Sequence, residues 1–234
     1  SQAEQLQTLA RDNRVRAVIV AVGANDEPDF AGLLNACISA WFARGKGCSA
    51  GFEAQWRARI RAMQPKVVAA LTDIRTAMRN AGYADGDYTL VLQSYAAPIA
   101  PDMRENLRNL SGCPFQRTDL RWVHDDGVTQ LSRGLRSAAT RAGARFLDLS
   151  AAGDGHEACT GGNSASGEWF TRLTVNWLAL NNARLAGHAL QSSFHPNAAG
   201  YAAFGHCMSE FLAQRSSSAR CVAGADASLR AVSP

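Results

Sequence analysis

Two short stretches hold residue types that do chemistry. Ser193-Phe194-His195-Pro196-Asn197-Ala198-Ala199-Gly200-Tyr201 lies near the end of the chain, and Gly23-Ala24-Asn25-Asp26 lies near its start. A His followed by Pro, with Asn197 placed to cap the helix that begins there, is held in one direction at a loop-to-helix boundary. An unperturbed imidazole titrates near neutrality and suits general-base work. Gly-x-Asn-Asp at the C-terminal end of an apolar strand puts a carboxamide donor where open α/β sheets keep their binding crevice. A base and an oxyanion donor are two of the three parts of covalent acyl transfer. The third part, a nucleophile, has no clear counterpart in the chain.

Gly47-Cys48-Ser49-Ala50-Gly51 matches the G-x-S-x-G pattern, but that motif needs a strand before it and a helix after it. The residues before it, Ala40 to Arg44, have helical character. A self-contained hydrolase using Ser49 is therefore a third and weaker option. His156 with Glu157, and His124 with Asp125 and Asp126, contain metal-ligating types, but adjacent loop residues rarely converge on one ion, so both are read as solvated. His188 and His206 fall in helix-like segments and read as structural. Trp41, Trp56, Trp122, Trp169 and Trp177 read as core or pocket lining; Trp169 and Phe170, after a Gly-rich loop, are candidates to border an apolar pocket.

The elements that must position these residues follow from periodicity. Residues 1 to 13 read as a helix with Leu6 and Leu9 on one face. The continuous β-branched run from Val15 to Val22 reads as a strand covered on both faces by helices. Helical spacing covers 28 to 43 and 52 to 80, the second with Trp56, Ile60, Met63, Val67, Leu71, Ile74 and Met78 on one stripe. Pro65 is expected to kink or split it. Tyr88 to Tyr95 is a second strand, Ala96 to Pro114 a loop, and Asp119 to Ala142 a helix. Arg145 to Leu149 is a third strand opening a Gly-rich loop through Gly167. Residues 169 to 190 are ambiguous between strand and helix, and Asn197 to Ala213 is the last helix. Strand and helix alternate, which predicts an α/β fold with a parallel sheet between helical layers. One domain is expected over 1 to 222, with 223 to 234 as a flexible tail.

Composition excludes several classes. The 234 residues are 47% hydrophobic, enough for one sizeable core. The net charge of +4 comes from 24 basic and 20 acidic residues, and the only lysines are Lys46 and Lys66. So small and dispersed an excess points neither to nucleic acid nor to an anionic membrane. No apolar run approaches the roughly 18 to 20 residues of a transmembrane helix, and none has the pattern of a signal peptide. The chain begins at Ser1, without Met, in a helix-like segment, which implies a start inside a larger product. Cys37, Cys48, Cys113, Cys159, Cys207 and Cys221 form no metal-ligand spacing and lie in loop-like surroundings. That favours disulfides, and hence an exported protein.

Taken together, the two chemical stretches resemble the GDSL, or SGNH, esterase and lipase superfamily. Gly23-Ala24-Asn25-Asp26 is similar to its third block, Gly-x-Asn-Asp. Ser192-Ser193-Phe194-His195-Pro196 is similar to its fifth, normally Asp-x-x-His-Pro, and Asn197 to Tyr201 matches what usually follows. The Cys37 to Cys48 loop, His156-Glu157-Ala158-Cys159 and the position of Cys113 resemble the secreted, three-disulfide branch. Spacing leaves fifteen cysteine pairings open; Cys37–Cys48, Cys113–Cys159 and Cys207–Cys221 are the expected ones.

The resemblance implies a flavodoxin-like, three-layer α/β/α fold and hydrolysis of an ester, an acyl lipid or a small ester, with no metal or organic cofactor. It implies His195 as the base, Asn25 as a side-chain oxyanion donor, and Gly23 and Ala24 beside the substrate. Ser192 stands where the family usually has the Asp that orients the His, so the Ser192 backbone carbonyl is the expected orienting group. The family's first two blocks, including Gly-Asp-Ser, have no match; Gly153-Asp154-Gly155 has Gly where the serine would be and reads as a turn. The run from Arg14 to Val22 would then be an open sheet edge, which is an association hazard unless covered. An N-terminal segment or a second chain is expected to complete the sheet and bring the serine. The alternative is a non-catalytic chain of the same fold that binds a partner protein through that edge.

Overall fold

A computed structural model describes residues 1–161, 167–174, 193–224 and 228–233. Ser192, Trp177, His188 and most of the ambiguous stretch from 169 to 190 lie outside the described residues. In chain order the elements are α1 (Gln2–Asp12), β1 (Ala17–Val20), α2 (Phe30–Phe42), α3 (Ser49–Asn80), β2 (Thr89–Gln93), α4 (Arg117–Arg121), a π-helical turn (Trp122–Gly127), α5 (Val128–Arg141), β3 (Arg145–Asp148), α6 (Ala198–Ala213), β4 (Ser218–Ala223) and β5 (Leu229–Val232). A short 3-10 turn, Glu105–Leu107, precedes α4.

The strands form one sheet in the order β1-β2-β3-β4-β5. The first four run parallel, in register through Ile19↔Val91, Leu92↔Phe146 and Leu147↔Ala219. The fifth closes the far side antiparallel, pairing Cys221 with Ala231. A mostly parallel sheet flanked by helices is the α/β class expected from the alternation of elements. β1 pairs with β2 alone, and its other edge has no strand beside it among the described residues.

Four sequence expectations need correction. The segment expected to be a flexible tail contains β5, whose Leu229 and Ala231 are buried. Val18 and Val20 are buried, but Ile19 between them is 47% exposed, so β1 is covered on one face only among the described residues. Of the kink or split expected at Pro65, the split does not occur, since α3 runs unbroken for 32 residues. The proline removes one intrahelical bond at a cost of about 3 kcal/mol. Trp56, Ile60, Met63, Val67, Leu71 and Met78 bury one stripe on both sides of it, and at roughly 1.5–3 kcal/mol each that burial outweighs the lost bond. In α1, Leu6 packs against the core with buried Ala10, whereas Leu9 points to solvent.

All three disulfides join the expected partners: Cys37–Cys48, Cys113–Cys159 and Cys207–Cys221. Cys113–Cys159 spans 46 residues and ties the segment after β2 to the loop after β3. Closing a loop of that length restricts the unfolded chain by about 4 kcal/mol. A Cys113→Ser, Cys159→Ser double variant is therefore expected to lose about that much stability in urea unfolding. Truncating the 14-residue link, Cys207–Cys221, removes a smaller entropic restraint.

Candidate active site

Asn25 is positioned by a turn that the end of β1 forces. Gly23 has φ +106°, which favours glycine, and a Cβ there would lie 2.9 Å from both Met63 Sδ and Val67 Cγ2. The chain can turn only by pressing its backbone against α3. Gly23→Ala is expected to cost about 3 kcal/mol through strain and overpacking, read as a lower urea midpoint. Beyond the glycine, Phe30 N donates to Ala24 O at 2.9 Å, and Asp29 caps α2 by accepting from Gly32 N at 3.0 Å. Ala31 N donates to Asn25 Oδ1 at 3.1 Å. Because a backbone N–H needs an acceptor, this bond fixes the amide orientation and leaves Nδ2, on an exposed side chain, without a partner among the described residues. Burial is the largest influence on Tyr95 at the end of β2 and raises its hydroxyl above the ordinary tyrosine range; its hydrogen bond with the Ala24 backbone opposes the rise and links the two strand ends.

His195 is held by two short extended segments. Phe170 and Pro196 form an antiparallel bridge. Thr171 N donates to His195 O at 2.9 Å, Phe194 N to Thr171 O at 3.1 Å, and Asn197 N to Trp169 O at 2.8 Å. Asn197 caps α6 by accepting from Gly200 N at 3.0 Å, while its Nδ2 donates to Glu168 O at 2.7 Å. Gly200 is required by close approach, since a Cβ would come within 2.4 Å of Trp169 O. Phe194 sits at φ +60°, strained for a bulky residue, and its buried ring packs edge-on against Phe115 at 5.2 Å.

The imidazole itself is exposed, with Nδ1 3.0 Å from Ser193 O. A carbonyl only accepts, so Nδ1 is the donor, and in the neutral imidazole the lone pair is then on Nε2. The carbonyl that Nδ1 meets is that of Ser193, two residues before the His; Ser192, whose carbonyl the sequence suggests for this role, lies outside the described residues. Ser193 is itself locked, accepting from Thr174 N at 2.8 Å and donating to Thr174 O at 2.9 Å.

Both candidates lie at the carboxyl end of the parallel strands. Asn25 follows β1 directly. Arg145, the first residue of β3, donates to Phe211 O and Gln214 O at the C-terminus of α6, so the other end of α6, with His195, faces the opposite end of the sheet. A Cβ on Gly153, after β3, would lie 3.0 Å from the Phe170 ring and 3.2 Å from Ala97 O, after β2. Loops from β2 and β3 thus meet under the segment that pairs with His195. Ser94 Oγ and Ser132 Oγ both donate to Asp148 Oδ1, at 3.3 and 2.7 Å, fastening β2 and α5 to β3. Burial pushes the Asp148 carboxyl up, but the Ser150 N–H and the Ser132 hydroxyl outweigh it, so the net shift is downward.

The remaining candidates fall elsewhere. Ser49 opens α3 and follows a helix and a loop rather than a strand, and its N–H donates to the buried Asp119 carboxylate at 3.0 Å. That is not a nucleophile elbow. Phe170 is 3% exposed and packs against Phe204, beneath the loop that carries His195. Trp169 is half-buried and stacks on His156 at 3.9 Å. His206 is exposed and faces Glu210 at 3.4 Å. His124 reads as solvated in the sequence, yet Asp154 and then Glu157, from the loop after β3, push its imidazole up to about 11.

A family model described as "GDSL-like Lipase/Acylhydrolase family" matches residues 1–203. No curated protein matches the chain. Among solved structures it is similar to an extracellular lipase from Streptomyces rimosus, at 19% identity and a TM-score of 0.46, over 79% of this chain and 64% of that one. It is also similar to phospholipase A1 from Streptomyces albidoflavus NA297, at 18% identity and a TM-score of 0.47, over 80% of this chain and 64% of that one. The chain therefore spans 64% of the length of these two proteins.

Proposed function

The chain belongs to the GDSL-like lipase/acylhydrolase family, and from that membership we propose that it supplies the base and the oxyanion donor of an exported serine esterase or lipase. The serine comes from an N-terminal segment or a second chain that completes the sheet beside β1. Its hydroxyl oxygen attacks the ester carbonyl while His195 Nε2 accepts its proton, and Asn25 Nδ2 donates to the oxyanion of the tetrahedral adduct. The adduct collapses, the C–O bond to the alcohol breaks, and Nε2 returns the proton to the departing alkoxide. Water, deprotonated by the same nitrogen, then attacks the acyl-serine; the bond to the serine oxygen breaks, Nε2 returns the proton to that oxygen, and the acid leaves. The observation that carries this reading is the exposed His195 ring, whose Nδ1 lies 3.0 Å from the Ser193 carbonyl, so that the neutral imidazole donates from Nδ1 and offers Nε2 as the base. Trp169, half-exposed beside that loop, borders the acyl group; Gly23 and Ala24 flank the carbonyl.

Support for the missing unit comes from β1. Its outer edge, which has no strand beside it among the described residues, opens on a groove of about 590 Å³ lined by α1, β1 and α3, including Val18, Ile19, Val22, Ile74 and Ala77. The same edge favours a second reading, a non-catalytic chain that uses this surface to bind a partner protein. Labelling the native preparation with a fluorophosphonate and locating the tag by mass spectrometry separates the two. A tag on a serine outside residues 1–234 is the expected result. A tag on Ser49 overturns the assignment of the nucleophile, and no tag on folded, intact protein favours the non-catalytic chain.

A further inference from the structure

We propose that His124, Asp154 and Glu157 form a binding site for one divalent cation of the zinc class, separate from the ester chemistry. His124 Nε2 lies 3.5 Å from Asp154 Oδ1 and 3.3 Å from Glu157 Oε1. One ligand atom from each residue falls within 4.8 Å of the other two. Ligand atoms so spaced leave a common point roughly 2.0–2.4 Å from all three, which is where nitrogen and carboxylate oxygen sit around zinc.

Two further features point to a cation. His124 Nδ1 is 2.7 Å from Asp125 Oδ1. That carboxylate accepts a hydrogen bond from Nδ1 and turns Nε2 toward Asp154 and Glu157, where a cation would displace the Nε2 proton; this is the carboxylate–histidine–metal arrangement that orients metal-binding imidazoles. Glu157 is 1% exposed, and its Oε2 is buried without a hydrogen-bond partner among the described residues. An ionised carboxylate left so is costly, and a bound cation removes the cost. The donor set, one imidazole nitrogen with two carboxylates, suits zinc or manganese better than calcium, which takes oxygen ligands.

The surroundings hold the three ligands in place. His124 lies in the π-helical turn Trp122–Gly127, a local geometry frequent at functional positions. Glu157 is fixed by its neighbours: Ala158 N donates to Pro98 O at 3.0 Å, and Cys159 is bonded to Cys113. Asp154 is exposed, so a fourth position is open to water. A cation here would brace the loop whose His156 stacks on Trp169.

The test uses the purified chain, treated with chelator, dialysed and titrated with zinc chloride at about pH 7.5 by calorimetry, with thermal unfolding in parallel. One equivalent is expected to bind, with a raised unfolding midpoint, and Asp154→Asn and Glu157→Gln are each expected to weaken binding tenfold or more. Asp154 is on the surface, so its variant keeps the fold if Glu157→Gln does not. Cobalt(II) in place of zinc is expected to give visible absorption with an imidazole ligand, absent in His124→Ala. Absence of saturable binding would mean that the cluster is an ion pair around a protonated imidazole, and would overturn the proposal. So would binding that both carboxylate variants leave unchanged, because the zinc would then sit on another histidine.

Discussion

Replacing His195 by alanine is expected to lower kcat of the assembled enzyme on a short-chain p-nitrophenyl ester by on the order of 10⁴ or more. A general base contributes about 10² to 10⁴ by itself, and one coupled to a nucleophile contributes more, since the serine is inert while its proton stays in place. The fold should survive. The ring is exposed and its hydrogen bond among the described residues is to Ser193 O, while the loop is held by backbone bonds from Thr171, Phe194 and Asn197 that do not involve the imidazole. Circular dichroism and the urea midpoint of the variant should therefore match those of the parent. A variant that keeps more than about a tenth of the parent rate would remove His195 from the mechanism.

Asn25→Ala is expected to cost on the order of 10² to 10³ in kcat with little change in KM, the signature of an oxyanion donor. The hydrogen bond from Ala31 N–H to its oxygen fixes the amide orientation, so the donor hydrogens are on the other end of the side chain. Asn25→Asp gives the sharper comparison. The carboxylate keeps the Ala31 bond and the turn, but it presents negative charge where the amide presented a donor, so its rate should fall at least as far as that of the alanine variant. Full activity in the aspartate variant would mean that the turn matters and the amide does not.

How much of this is legible in the sequence depends on whether a residue's partner is local. β1 and β2 announce themselves through continuous Val, Ile and Leu, β3 through Phe146, Leu147 and Leu149, and the α3 stripe through steps of three and four around Pro65. β4 and β5 do not. Ser218-Ala-Arg-Cys-Val-Ala is short and mixes exposed Arg220 with buried Cys221, and its sheet position depends on pairing with β3 and Leu229–Val232. Asn25 and His195 are readable because each motif contains its own turn or cap: Ala31 and Asp29 for one, Asn197 for the other. Tyr95 is not, since its partner is Ala24 on another strand end. The approach of His124 to Asp154 and Glu157 is hidden for the same reason. Its ligand atoms come from a π-helical turn and a loop with the whole of α5 and β3 between them. The exposure of Ile19 runs against its own sequence signal, because an apolar run records what a strand is built to be covered by, not what covers it in one polypeptide.

Exposed Ile19 also limits what the proposed second unit can be. β1 lacks cover in two directions at once among the described residues: along its edge, where backbone groups have no strand to bond, and over the face that shows Ile19. A linear peptide laid along the edge by β-augmentation would meet the first need and leave the second. A strand arriving parallel to β1 requires a crossover, usually helical, to connect it within its own chain. Such a unit would bring a helix to lie over Ile19 as its strand reaches the edge. What docks on β1 should therefore be a folded strand-and-helix module that buries an interface, rather than a short recognition motif, and the two pieces should unfold together.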